Sequence, residues 1–344
     1  MSLSRTHLRT GRRPALALLS ATTLGAALLL AGCGDPGSGG GVADPTTDTS
    51  ATGSACEPVA GDQLVVLEDD QALQNSENIV PAINEKAAKA HPDIVDLLNA
   101  VSESLDTEKL IGLNMAVDID RQTSSEVAAQ YVEDEGLAAQ DTPGEGASLT
   151  IGAANFSESA TLAEIYAAVL TSAGYDVEVR TIGNRETYLP ALEKGDVVAV
   201  PEYAATLSDF LNAKVNGADA ESVASGDIAE TMSGLEPLAR KSGLIIGTAS
   251  DAQDQNAFAV TQEFADEHGV TTLSDLAEAC GGGLTLAGPA ECPERPFCQI
   301  GLEETYGLTF TEFTAYDFGL IGEAVRKGEA AMGLVLSSDG SLAS

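Results

Sequence analysis

The chain has 344 residues, of which 53 are acidic and 17 basic, for a formal charge of −36 at neutral pH. A surface this negative repels a phosphate backbone, which excludes nucleic acid as a partner. The acidity fits a cationic ligand or a salty milieu, and equally a solvated surface that keeps an exported protein in solution.

The first element is an export signal. Arg5, Arg9, Arg12 and Arg13 precede an apolar run from Ala15 to Ala31, with no acidic residue among them; this is the pattern of a secretory leader. The run is shorter than the roughly 20 apolar residues that a spanning helix needs. It closes with Leu30, Ala31, Gly32 and Cys33, which together resemble a bacterial lipobox. That resemblance implies that residues 1–32 are a signal peptide and that Cys33, the one nucleophile at the cleavage point, carries lipid and holds the protein at the extracytoplasmic face of the cell membrane. The alternative is an ordinary secretory signal with an incidental cysteine. Removing residues 1–32 takes four of the 17 basic residues and no acidic one. Residues 33–60 are dominated by Gly, Ser, Thr, Pro and Asp and read as a flexible tether.

In the folded part, strands are expected at Leu64–Leu67 and Ile79–Ile83, then helices around Lys86–Ser104 and Thr107–Leu113. Residues 138–147 are Gly, Pro, Gln and acidic residues, a plain linker. Leu149 and Ile151 alternate in a strand. Leu162, Ile165, Tyr166, Val169 and Leu170 then share one helix face, and Gly174 stops that helix. A strand with Val177 and Val179, a helix from Leu189 to Lys194 and a strand from Asp196 to Val200 complete a βαβαβ unit. A second, shorter series runs through Phe258–Val260, a helix to His268, a helix Ser274–Ala279, and strands at Leu284–Leu286, Phe310–Thr314 and Met332–Leu336. The alternation predicts an α/β fold with parallel sheets. Ligands of such sheets sit beyond the carboxyl ends of the strands, which here are the segments Ala153–Glu158 and Pro201–Thr206.

Five cysteines leave four once Cys33 is lipidated, and an exported protein meets an oxidising environment, so two disulfides are expected. Three pairings are open. The short Pro-containing loop favours Cys292 with Cys298, which leaves Cys56 with Cys280. Zinc is the alternative, but none of His7, His91 and His268 stands at ligand spacing from a cysteine. No metal or other cofactor is expected. Nor is an enzyme: there is no Gly-x-Ser-x-Gly elbow, no His-Glu-x-x-His and no phosphate loop, and only His91 and His268 remain to serve a triad.

Five blocks carry a family resemblance: Leu149–Glu158 (LTIGAANFSE), Pro201–Thr206 (PEYAAT), Gly301–Leu308 (GLEETYGL), Ser337–Gly340 (SSDG) and Leu64–Asp70 (LVVLEDD). Together they are similar to the glycine betaine and osmoprotectant binding proteins of ABC importers. The resemblance implies a two-lobed periplasmic-binding-protein-like fold of type II around a hinged cleft. It also implies a small polar solute such as a quaternary ammonium, and an ABC permease as partner. The order of the blocks is rotated, since the usual closing third comes first, so the chain reads as a circular permutation with residues 138–147 joining the usual termini. Exposed termini that lie close together tolerate such a change. Residues 61–249 are expected to form the first lobe and 250–344 the second. The resemblance further implies that one of two crossings between lobes is cut, and that a Cys56–Cys280 bond partly restores it.

A quaternary ammonium has no N–H to donate, so it is held by aromatic faces, while a betaine carboxylate needs donors at the other end. By the resemblance, Tyr203 occupies one box position and Phe258, in Asn256–Ala259, another. Leu336 and the stretch Gln74–Glu77 stand where further aromatics are usual, and Ala154 where a basic residue is common. Arg295 is a candidate for an anionic group and Thr206 a hydroxyl donor, while Asn155, Ser157, Glu158, Asn256 and Ser338 complete the expected cleft. Core packing is the competing reading of Tyr203 and Phe258, and an ion pair with a neighbouring acid that of Arg295. The depleted box also leaves room for a surface receptor or assembly factor that has kept the fold and takes another small polar ligand.

Overall fold

The computed structural model describes residues 55–343; the signal peptide 1–32, the lipidation site Cys33 and the tether as far as residue 54 lie outside them. From the N-terminal side, β1 (Leu64–Leu67) is followed by β2 (Ile79–Asn84), α1 (Glu85–Ala90), α2 (Asp93–Ser104), α3 (Thr107–Asn114), a π-helical turn Met115–Ile119 and α4 (Ser124–Asp134). Beyond the irregular segment 135–147 come β3 (Ser148–Ala153), α5 (Ser157–Ser172), β4 (Asp176–Thr181), α6 (Arg185–Lys194), β5 (Ala199–Tyr203), α7 (Ala204–Asn216), α8 (Ile228–Lys241) and β6 (Leu244–Ile246). The last part holds β7 (Asn256–Thr261), α9 (Gln262–His268), α10 (Leu273–Cys280), β8 (Leu284–Gly288), α11 (Gln299–Tyr306), β9 (Phe310–Ala315), α12 (Ile321–Arg326) and β10 (Met332–Leu336). Among the described residues no helix is long and apolar enough to cross a membrane.

The strands form two five-stranded sheets, in the orders β4-β3-β5-β2-β6 and β1-β7-β10-β8-β9. The βαβαβ unit expected from periodicity is present, with β3 parallel to both β4 and β5. The sheets as wholes are mixed rather than parallel, because β2 runs antiparallel to β5 and β6, and β7 antiparallel to β1 and β10. Successive side chains of a strand point to opposite faces, and β2 buries both. Ile79 and Ile83 join a cluster with Ile151, Leu162 and Ile165, while Val80 and Ala82 join Leu189, Val200 and Leu207. The second sheet builds its main core from Phe258, Val260, Leu284, Leu286, Met332 and Leu334.

Local chemistry explains where the expected boundaries moved. The pattern at 86–104 is two helices, because a residue before proline is pushed out of the α region; His91, which precedes Pro92, has φ −134° and ψ 77°. Asn84 starts the first of them, its Oδ1 accepting from the N–H groups of Lys86 and Ala87 at 3.0 Å. The strand expected to end before Pro201 instead continues to Tyr203. Bonds from Asn84 N–H to Val198 O and from Ala204 N–H to Asn78 O put the hydrogen-bonded pairs of the β2/β5 ladder at even positions of β2. Pro81 and Pro201 face each other at a non-bonded pair, where neither needs an N–H for that ladder.

The lobe boundary needs one correction. Residues 61–67 do not belong to the first half: β1 pairs along its whole length with β7, a long-range pairing that local pattern does not encode. Both expected disulfides are present, Cys56–Cys280 and Cys292–Cys298, but the first does not bridge the halves. Cys56 and Cys280 lie in the same apolar cluster of the second half, so the bond fastens the start of the described chain to that half. His268 Nδ1 lies 3.7 Å from Cys56 Sγ, although both sulfurs of this group are already joined to each other. No crossing is cut either: residues 68–78 connect β1 to β2, and residues 247–255 connect β6 to β7.

The C-terminal turn Gly340–Ala343 returns beside β1. Arg326 donates from Nε to Asp62 O at 2.8 Å and from Nη2 to Ser341 O at 2.5 Å. One guanidinium therefore holds the two ends of the folded body together.

Candidate functional site

Two turns at the carboxyl ends of neighbouring parallel strands open on a crevice. After β3 the chain passes through Ala154, Asn155 and Phe156 into α5, and after β5 it enters α7 directly from Tyr203. Two cavities of about 270 and 450 Å³ lie here and share Glu77, Thr206 and Asp254 in their walls. The first is completed from the second half by Asn256, Phe297 and Leu336. The second is completed by Asn155, Phe156, Arg185, Tyr188 and Tyr203.

Aromatic surface is offered from both sides. Phe156 and Phe297 are each 44 % exposed. Phe156 and Tyr203 have ring centroids 6.1 Å apart and planes tilted by 36°. Phe297 precedes Cys298, so the small loop closed by the Cys292–Cys298 bond holds it in the wall.

The polar groups of the crevice are largely satisfied within the protein. Glu77 accepts from the N–H groups of Ala205 and Thr206 at 3.1 Å. These are the first-turn donors of α7, where the helix dipole favours an anion. Burial pushes the Glu77 carboxyl up to about 7 against the opposing influence of the Thr206 N–H and of Arg185. Arg185 donates to Glu202 through Nη2 at 2.7 Å and Nε at 3.2 Å, and its Nη2 also reaches Thr206 Oγ1 at 2.9 Å. Glu202 is wholly buried and accepts from Tyr188 as well, at 2.8 Å.

A second polar network lies beneath the crevice. Glu158 accepts from the Tyr203 hydroxyl at 2.7 Å and from Asn114 Nδ2 at 2.6 Å. Asn114 also donates to Ser338 O at 2.8 Å, and the Ser338 hydroxyl donates to Asp254 Oδ1 at 2.8 Å. Burial raises the carboxyls of both Glu158 and its neighbour Asp254, that of Asp254 to about 8. Two like charges cannot both be held so close without cost, so the pair retains a proton at neutral pH. The network ties α3, α5, β5, the 247–255 crossing and the segment after β10 at one point.

Six of the nine expected ligand-binding residues gather here. Asn155, Tyr203, Thr206 and Asn256 line the crevice, and Glu158 and Ser338 lie just below it. Ser157 instead donates to Asp118 of the π-helical turn at 3.0 Å. Phe258 is 1 % exposed and packs in the core of the second half, where alternation along β7 turns it inward. Arg295 lies at the surface, paired with Glu291 at 3.2 Å with its side chain 64 % exposed. Sequence reasoning missed Glu77, Phe156, Arg185, Asp254 and Phe297. Phe156 stood between two named residues and Phe297 inside a named disulfide loop, so both were open to inference. Nothing local marks Arg185 or Asp254, whose partners come from distant segments.

A family model described as the substrate binding domain of ABC-type glycine betaine transport systems matches residues 57–134 and 147–344. A glycine-betaine-binding protein of Pseudomonas aeruginosa is 31% identical over 86 residues, which cover 25% of this chain and 28% of that relative; the match thus spans little more than a quarter of its length. Among solved structures, a glycine betaine/carnitine/choline ABC transporter protein aligns at 21% identity with a TM-score of 0.42, over 57% of this chain and 70% of that one. A periplasmic oligopeptide-binding protein of Thermotoga maritima, crystallised with mannohexaose, aligns at 13% identity and a TM-score of 0.26, over 54% of this chain and 47% of that one.

Proposed function

Because this chain belongs to the family of substrate-binding domains of ABC-type glycine betaine transport systems, we propose that it is the extracytoplasmic solute-binding component of an ABC importer, anchored by lipid on Cys33. The family is one of solute-binding domains and not of enzymes. In this reading the protein captures glycine betaine, choline or a related compatible solute in the crevice and hands it to the permease when the halves close. The observation that carries the reading is the crevice itself, with Phe156 and Tyr203 in the wall of one cavity and Phe297 in the wall of the adjoining one. A cation over such faces gains about 0.5–2 kcal/mol from each ring.

The rotated order of the blocks remains part of the proposal. It is supported by the closeness of Asp62 and Ser341 under Arg326. The interruption of the family match at 135–146, within an irregular segment, supports it as well. A receptor or assembly factor on the same fold is the second reading. It is favoured by the loss of Phe258 to the core and by Leu336 in the wall where an aromatic is usual. Permease and ATPase genes beside this one would speak for transport, and their absence for the receptor.

A thermal-shift screen of the full chain with betaines, choline, carnitine, ectoine, amino acids and sugars tests the function, since a ligand that binds only the folded state raises the melting temperature. A quaternary ammonium is expected to raise it, and Tyr203→Ala to remove most of that rise. A rise that survives Tyr203→Ala, or one produced by sugars alone, would count against the assignment.

A further inference from the structure

Resting on the reading that the crevice takes a quaternary ammonium, we propose that its ligand is an organic monocation with no carboxylate, and that glycine betaine is disfavoured. The argument lies in what two anion-binding features of the crevice, the start of α7 and Arg185, already hold. A helix N-terminus and an arginine are the groups that receive a ligand carboxylate. At the start of α7 the place of such a carboxylate is taken by Glu77, which accepts from Ala205 and Thr206. The guanidinium of Arg185 is engaged by Glu202 through both Nε and Nη2. Apart from tyrosines, the remaining ionisable side chains in the walls are acids: Asp209 and Asp254 in one cavity, Glu186 and again Asp254 in the other. A betaine would bring its negative end against these carboxylates. A choline-like cation brings none, and its hydroxyl can bond to any of them.

The same carboxylates make binding proton-linked. Glu77 faces Arg185 across the wall, and Asp254 faces Glu77 and Glu158. Asp209, Glu186, Tyr188 and Tyr203 complete the ionisable surroundings. Burial leaves Glu77 and Asp254 partly protonated at neutral pH. A cation beside them favours the charged form, so a carboxylic acid and a free cation become a carboxylate–cation pair and one released proton.

Calorimetric titration of the full chain in mild detergent with choline and with glycine betaine tests this, because the two share the trimethylammonium head and differ in the charge of the tail. At pH 8 choline is expected to bind at least about tenfold more tightly than betaine. Its affinity should rise between pH 6 and pH 9, with proton release visible as a dependence of the heat on the buffer. Glu77→Ala, which frees the Ala205 and Thr206 N–H groups, should weaken choline and narrow the gap to betaine. Betaine binding as tightly as choline to the unaltered protein, for example through the start of α5, would overturn the inference and leave the quaternary-ammonium reading standing. Binding of neither would overturn both. Should Glu77→Ala not fold, the ratio of choline to betaine affinity in the unaltered protein decides, since a ratio near one contradicts the inference.

Discussion

Replacing Cys56 and Cys280 together by serine is expected to lower the free energy of unfolding by about 4 kcal/mol, against about 2 kcal/mol for the Cys292/Cys298 double substitution. The two bonds differ in what they take from the unfolded chain. Cys56–Cys280 spans 224 positions and Cys292–Cys298 six, and the entropy removed by closing a loop grows with its length. In the folded state the long bond also secures an edge. Residues 55 and 56 meet the second sheet through a bridge at Gly283 and a bond from Cys56 N–H to Gly283 O at 3.1 Å, and β1, which follows them, lies at the edge of that sheet. Urea unfolding of the oxidised proteins at one pH measures both effects. A smaller loss for the long bond than for the short one would contradict this account of the N-terminal segment.

The second large effect is the pH dependence of stability in the absence of ligand. In the unfolded chain Asp254 ionises near its ordinary value of 3.8, whereas in the folded protein burial and the neighbouring Glu158 hold its proton up to about 8. Folding therefore takes up a proton throughout that window. The resulting stabilisation is complete below the lower value and is lost as the pH rises through the higher one. Glu77, with ordinary and folded values of 4.5 and about 7, acts with the same sign. At 1.36 kcal/mol for each unit, the protein is expected to lose on the order of several kcal/mol between pH 5 and pH 9. Asp254→Asn keeps a donor toward Glu158 and should remove most of this slope. Stability that is level or rises over the same range, or a slope unchanged in Asp254→Asn, would show that the two carboxyls do not share a proton.

These expectations depend on contacts that the sequence displays unevenly. The βαβαβ unit was legible because Leu162, Ile165, Tyr166 and Val169 mark one helix face while Val177 and Val179 alternate in a strand, and both periods come from local geometry. The turns after β3 and β5, which border the crevice, were legible for the same reason. The helices α4, α7 and α8 went unread, although α4 begins with a capping box of Thr123 and Glu126. The placement of β1 could not be read, because pairing with β7 joins segments almost 200 residues apart.

Of the residues named by the resemblance, Tyr203 and Thr206 line the crevice, and two others lie elsewhere for physical reasons. Phe258 has Ala257, Ala259 and Val260 around it, and the pleat buries it. Arg295 has Glu291 four residues before it and stays with that partner in solvent. The residues that decide the charge of the crevice, Glu77, Arg185 and Asp254, could not be singled out among so many acids without knowing that Glu77 meets the start of α7 and Glu202 meets Arg185.

The central claim is that a cationic solute sits between the two halves, and a crystal structure of the full chain grown with choline tests it most directly. The account predicts the trimethylammonium group within about 6 Å of the Phe156, Tyr203 or Phe297 ring centroids, with the hydroxyl directed at Glu77 or Asp254. Choline bound elsewhere on the molecule, or a vacant crevice at a concentration that saturates the calorimetric titration, would contradict it.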